Sequence, residues 1–263
     1  MEITPEILNR KGVTKLSLVS DEVKSLLDKG LIASVNLTEW LATDHKALIR
    51  NVLPQEYQKA CLDDINELKQ STAMKNIPAV AEALFRLGVH SKSDLFDRLS
   101  KHTSDSVRCW ASYVVGIENM AIPDRLKAIK PFAADDNFGV REIAWMAVRA
   151  DITTNLDESI SILSTWTSDA DTNVRRFASE ATRPRGVWCK HIDELKNNPA
   201  KGLTILEPLK SDKEKYVRDS VANWLNDASK TQPVFVKDLC DKWSKESETK
   251  ETAYIVKKAL RSL

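Results

Sequence analysis

The sequence predicts an all-α fold, a superhelix of helical hairpins stacked as a solenoid, and three observations carry that prediction. Turn-forming residues are scarce: 263 residues include 7 Gly, and the 9 Pro fall mostly singly between apolar-periodic segments. That leaves too few tight turns for a strand-rich fold. Apolar residues recur at helical spacing along most of the chain. One short pattern also returns four times in the second half, as internal repeats do.

Taken in order, amphipathic stretches lie near 21–28, 37–50, 57–70, 77–88 and 92–101. They match the later pattern poorly and read as divergent N-terminal helices over 1–100. Regular repeats follow over 101–230. Each opens a helix with Val-Arg, at Val107-Arg108, Val140-Arg141, Val174-Arg175 and Val217-Arg218, at intervals of 33, 34 and 43 residues. That is one helix–turn–helix unit with its loops, plus an insertion before the last. Asp and Ser at 104–105, 135–136, 168–171 and 211–212 stand where caps are wanted. A final pair near 233–245 and 249–262 reads as C-terminal capping helices over 231–263, in one domain spanning 1–263. The pattern resembles HEAT repeats, and that resemblance implies that the four arginines form a ladder with aspartates of neighbouring repeats.

Helical geometry places positions two, three, six and seven after each repeat arginine on the packing side. They pack between hairpins, with Ser220 the polar exception. The opposite side reads Cys109, Ser112, Tyr113, Gly116; Glu142, Trp145, Met146, Arg149; Arg176, Ser179, Glu180, Arg183; and Asp219, Ala222, Asn223, Asn226, with Asp227 at its edge. A solvated face alternates Lys and Glu, whereas this one mixes small residues, aromatics, Arg and Asn. Such a surface suits close approach of a large polar partner, and the reading makes it one groove.

Thirty-nine Lys and Arg balance 38 Asp and Glu, so a nucleic-acid role needs segregated charge, which the net sum does not itself suggest. Cys61, Cys109, Cys189 and Cys240 form no CxxC pair and read as reduced thiols of a cytoplasmic protein. No apolar run approaches the roughly 20 residues of a membrane span. His45, His90, His102 and His191 show no ligand spacing, and no phosphate-cradling Gly-rich string occurs, so neither metal nor cofactor is expected.

The strings VREIAWMAVRA, NVRRFASEATRPRGVWCKHI and LEPLKSDKEKYVRDSVANWLNDASK resemble the AlkC branch of the AlkC/AlkD DNA-alkylation-repair glycosylases, most specifically over 135–230. The resemblance implies a monofunctional, cofactor-free bacterial enzyme, and an architecture in which each repeat contacts the next makes a monomer the default. It implies action on double-stranded DNA containing alkylated bases, excising cationic bases, chiefly 3-methyladenine. An alkylated base is already a good leaving group, so a carboxylate beside the sugar suffices to stabilise positive charge and orient water. Glu142, Glu180 and Asp227 are the candidates, Glu180 foremost because it precedes the turn Arg183-Pro184-Arg185. Trp145 and Trp188 are expected to stack on the lesion or sugar. Arg149, Arg176, Arg183, Arg185 and Lys190 are expected to contact phosphate, with amide help from Asn223 and Asn226. Trp40, Trp110, Trp166, Trp224 and Trp243 are expected to pack. Two other readings stand open: a HEAT-repeat DNA-binding protein without catalysis, and a protein–protein scaffold.

Overall fold

The computed structural model describes residues 3–263 and bears out the all-α helical-repeat fold, with seventeen α-helices and no strand among the described residues. The chain divides into two compact units, a division that the single-domain reading did not draw. One holds residues up to Met120 together with Asp135–Ala147; the other holds Ala121–Ala134 and Val148–Leu263. Among the described residues no helix is long and apolar enough to cross a membrane.

The first unit contains α1 (Pro5–Leu8), α2 (Asp21–Asp28), α3 (Leu37–Ala42), α4 (His45–Val52), α5 (Gln55–Glu67), α6 (Ala73–Arg86), α7 (Asp94–Ser100) and α8 (Asp105–Ile117). The stretch expected as one helix over 37–50 is cut in two. Asp44 is the reason: its carboxylate accepts the amides of Lys46 and Ala47 at 2.8 and 3.3 Å, satisfying a new helix start. Helix α8 packs between α6 and α7 and buries Val107, Trp110, Val114 and Val115 completely.

Helix α10 (Phe138–Thr154) is shared between the units, and α9 (Ile122–Ala133) belongs to the second. There follow α11 (Leu156–Trp166), α12 (Thr172–Ala181), α13 (Asp193–Asn197), α14 (Leu203–Leu209), α15 (Lys215–Ser229), α16 (Pro233–Glu246) and α17 (Lys250–Ala259). Helix α13 and the 3-10 turn Pro199–Gly202 fill the long interval before the fourth Val-Arg. Helix α12 lies beside α15 and α15 beside α17, while α11 and α14 pack together as their hairpin partners.

The repeat arginines share one geometry. Arg108, Arg141, Arg175 and Arg218 each donate Nη1 to the carbonyls five and six residues upstream. Residue six upstream is His102, Asp135, Asp169 or Asp212, and its side chain accepts the amide two residues on. Inter-repeat pairing joins Arg108 to Asp135 and Arg175 to Asp212, each through two nitrogens. Lys130 also reaches Asp169, at 2.7 Å. The acids expected as caps therefore mostly hold the inter-helical turn.

Trp110 Nε1 donates to Nδ1 of His45 at 3.1 Å, which requires a neutral imidazole. Burial is the main reason the His45 pKa falls from 6.5 to about 4. Below pH 6.5 the unfolded chain takes up a proton that the folded chain refuses, so His45 removes stability as the pH falls from 6.5 towards 4. The loss at pH 5 is about 2 kcal/mol. Chemical denaturation at pH 7.5 and 5.0 should show that extra loss in the wild type and not in His45→Gln; equal pH dependence would contradict it.

Candidate functional site

The richest polar constellation lies in the second unit, where the last turns of α12 face α15. Glu180 is 3 % exposed and Asp227 4 % exposed, and one guanidinium joins them. Arg183 donates Nη1 to Glu180 Oε1 at 2.8 Å, and its Nε and Nη2 both reach Asp227 Oδ2, at 2.9 and 2.8 Å. Glu180 Oε2 accepts from Ser220 Oγ at 2.7 Å and lies 3.5 Å from Arg176 Nη2. Ser179 Oγ in turn sits 2.8 Å from that of Ser220. Burial opposes ionisation of Glu180, but Arg176 and Arg183 outweigh it and hold the pKa below the usual carboxylate value. Both oxygens of Glu180 are thus committed. Asp227 differs: its Oδ1 meets only Lys230 Nζ, at 3.5 Å, among the ion pairs around it.

Beside this pair runs the turn from Arg183 to Ile192. Arg149, 4 % exposed, holds it from beneath by donating Nη1 to Ala181 O, Nη2 to Arg183 O and Nε to Lys190 O, at 2.9, 2.6 and 3.0 Å. Desolvation lowers the Arg149 pKa from its ordinary value. The Ile192 amide closes the turn on Pro184 O at 3.0 Å. A Cβ on Gly186 would collide with Cys189 Sγ and press on the Arg149 guanidinium. The tip carries Val187 and Trp188, both exposed, and Trp188 has φ +58°. A bulky residue in left-handed backbone is strained by about 1–2 kcal/mol. The anchored turn below supplies the constraint.

Several expectations change. Arg149 cannot reach out to phosphate, because its guanidinium is spent on backbone carbonyls inside the fold. Trp145 is 1 % exposed and donates Nε1 to Glu142 Oε2 at 2.9 Å, so it packs instead of stacking on a ligand, and Glu142, in the first unit, holds it. Asn226 is buried, donating to Ala259 O at 3.1 Å, which makes it a tie between α15 and α17. Arg176 is buried with its guanidinium 4.2 Å from the Tyr216 ring centroid. More generally the supposed open face is largely covered, since Cys109, Ser112, Ser179 and Ala222 are fully buried. A second helix in a stack is flanked by its hairpin partner and by second helices on either side. What remains accessible is narrower: Trp188, Arg185, Lys190 and Asn223, with the Arg183 side chain 11 % exposed. Ser220, Lys230 and Val187 were not anticipated. Ser220 had left a sign as one of the few polar residues on the packing side.

Residues 146–263, which contain this constellation, match the family model described as DNA alkylation repair enzyme. A relative from Bacillus subtilis (strain 168), the uncharacterized protein YhaZ, is 33 % identical over 178 residues, 64 % of this chain and 49 % of YhaZ. The chain thus spans about half the length of that curated relative. Among solved structures, the Pseudomonas fluorescens alkylpurine DNA glycosylase AlkC, bound to DNA containing an abasic-site analogue, shares the fold. Its TM-score is 0.66 at 23 % identity, covering 95 % of this chain and 65 % of that one. AlkD2 from Streptococcus mutans is similar at TM-score 0.52 and 22 % identity, covering 81 % of this chain and 94 % of that one. The Glu180–Arg183–Asp227 network falls inside the segment that matches the DNA alkylation repair enzyme model.

Proposed function

We propose that the protein is a DNA glycosylase that hydrolyses the N-glycosidic bond of cationic N-alkylated bases, chiefly 3-methyladenine, in duplex DNA. The observation that carries this reading is the buried Arg183 guanidinium joining two carboxylates, at the start of a turn whose tip carries an exposed tryptophan in left-handed backbone, in the segment that matches the repair family. In this reading the leading role falls to Asp227 and not to Glu180. Glu180 has no free oxygen and serves to fix Arg183; Asp227 keeps Oδ1 for a water or the sugar.

In the reaction the C1′–N bond breaks with its electron pair going to the positively charged base, which departs neutral. The sugar becomes oxocarbenium-like, the negative charge of Asp227 stabilises it, and water bound at Oδ1 attacks C1′ while its proton passes to the carboxylate or to solvent. No acid is needed to protonate the leaving group, which fits a Glu180 held ionised. Trp188 offers its indole face to the cationic base or sugar, Arg185, Lys190 and Asn223 contact phosphate, and Arg183 closes the floor. Arg176 supports Glu180 from the side.

Incubating the protein with methylated duplex and chromatographing the released bases tests the reading. Free 3-methyladenine is expected from the wild type and not from Glu180→Gln/Asp227→Asn. Duplex binding without release would favour a DNA-binding protein lacking catalysis, and neither binding nor release would favour a protein scaffold.

Trp188→Gly separates strain from function. Glycine adopts positive φ freely, so relief of strain offsets the added unfolded-chain entropy and stability stays within about 1 kcal/mol of wild type. Loss of stacking lowers affinity for abasic-site duplex about tenfold or more. Thermal unfolding and fluorescence anisotropy check the two halves; unaltered affinity would remove Trp188 from the site.

A further inference from the structure

The second unit carries a polar stripe that the reaction just described uses only at Asn223 and Asp227. Lys215, Asp219, Asn223 and Asp227 recur every four residues on α15 and so share one face. Helix α17 lies alongside. Asp219 Oδ2 takes Lys215 Nζ at 2.7 Å, while Oδ1 takes Lys258 Nζ at 2.6 Å and the Tyr254 hydroxyl at 2.7 Å. Arg261 donates Nη2 to Asn223 Oδ1 at 2.9 Å, and the Arg218 guanidinium lies 5.4 Å from the Tyr254 ring centroid. Hydrogen bonds from Lys215, Lys258 and Tyr254 pull the Asp219 pKa down to about 2 despite partial burial.

Lys215 and Lys258 thus meet at one carboxylate, with Arg218 beside its partner Tyr254 and Arg261 on Asn223, in a chain whose formal net charge is +1. Compensation of the helix dipole accounts for Lys258 and Arg261 at the end of α17. It does not account for Lys215, which opens the first turn of α15 where the dipole disfavours cations, whereas Arg218 in the same turn is held by its carbonyl clamp. Asp219 lets both sets coexist and fixes two ammonium groups side by side, with Lys215 well exposed. A surplus of ordered, accessible cations continuous with the Asp227 end of the stripe needs an anion.

We propose that this stripe is a phosphate track that grips the duplex backbone beyond the lesion, with Lys215, Lys258 and Arg261 as the contacting cations. The inference rests on the glycosylase reading and adds a footprint to it. Asp227 and Lys215 are twelve residues apart on α15, which is roughly 18 Å at 1.5 Å per residue and about five base pairs of duplex.

The test is fluorescence anisotropy on abasic-site duplexes over a series of KCl concentrations. The wild type is compared with Lys215→Gln/Lys258→Gln/Arg261→Gln and with a charge-matched control, Lys127→Gln/Lys237→Gln/Lys245→Gln. The stripe variant should flatten the slope of log K against log salt by about 2–3 and the control by well under 1. Shortening the duplex to about two base pairs on one side of the site should erase the difference between wild type and stripe variant. Equal slopes for stripe and control overturn the track, as does a stripe effect that persists on the shortened duplex. A wild type that binds no duplex overturns the glycosylase reading along with it, so the two failures are distinguishable.

Discussion

Asp227→Asn is expected to slow release of a cationic alkylated base by about a hundred- to a thousandfold, the range seen when one preorganised transition-state charge is removed. The substitution is nearly isosteric and keeps an oxygen to accept from Arg183. It removes the negative charge that faces the developing sugar cation and weakens the hold on a water at Oδ1. Duplex affinity should change less than threefold, because the carboxylate stabilises a transition state and not a ground-state complex. Glu180→Gln acts one step away, by loosening Arg183, and should cost less. Single-turnover excision with enzyme in excess, alongside anisotropy, measures both quantities. An Asp227→Asn rate within threefold of wild type would remove Asp227 from the chemistry.

Arg183→Met is expected to destabilise the fold by about 3–5 kcal/mol, the cost of removing one partner from a buried ion pair. Two nearly buried carboxylates share this guanidinium, and methionine fills its volume without its charge. The pH dependence distinguishes this from lost packing. In the wild type Glu180 has a lowered pKa, so it contributes stability above the ordinary carboxylate value that fades as the pH falls through the folded one. Without Arg183 burial dominates, the folded pKa rises, and the variant gains stability on protonation. Its deficit in urea unfolding should therefore be larger at pH 8 than at pH 5. A deficit under about 1 kcal/mol, or one independent of pH, would show that the carboxylates are neutral or hydrated in the folded protein.

The regular part of the fold was legible because its determinants are local and repeated. Val-Arg at the start of each second helix fixes both the apolar contact and the carbonyl clamp, and even the odd 43-residue interval announced an insertion. The expected packing tryptophans are buried at all five positions. The site was legible as a set of residue types on one helix face, and Glu180, Arg183 and Asp227 do come together. What periodicity could not express was lateral crowding. It treats a helix as having one covered side, whereas α12 and α15 are flanked on several. Trp145, Arg149 and Asn226 therefore turned from contacts into supports. The clamp of Arg149 on Ala181, Arg183 and Lys190 joins residues more than thirty apart, and nothing in spacing marks it. The C-terminal helices lack the Val-Arg signature, which is why Lys258 and Arg261 went unnoticed while Asn223, their neighbour on α15, did not.

In the proposed reaction a carboxylate assists departure of a base that already carries positive charge, and no group supplies a proton. The most direct measurement is therefore excision from two otherwise identical duplexes, one with a single 3-methyladenine and one with a neutral lesion such as uracil. Release of the methylated base alone, at a rate flat from pH 6 to about 9, is the expected result. Comparable release of uracil, or a rate that collapses on the alkaline side as a protonated acid is lost, would contradict it.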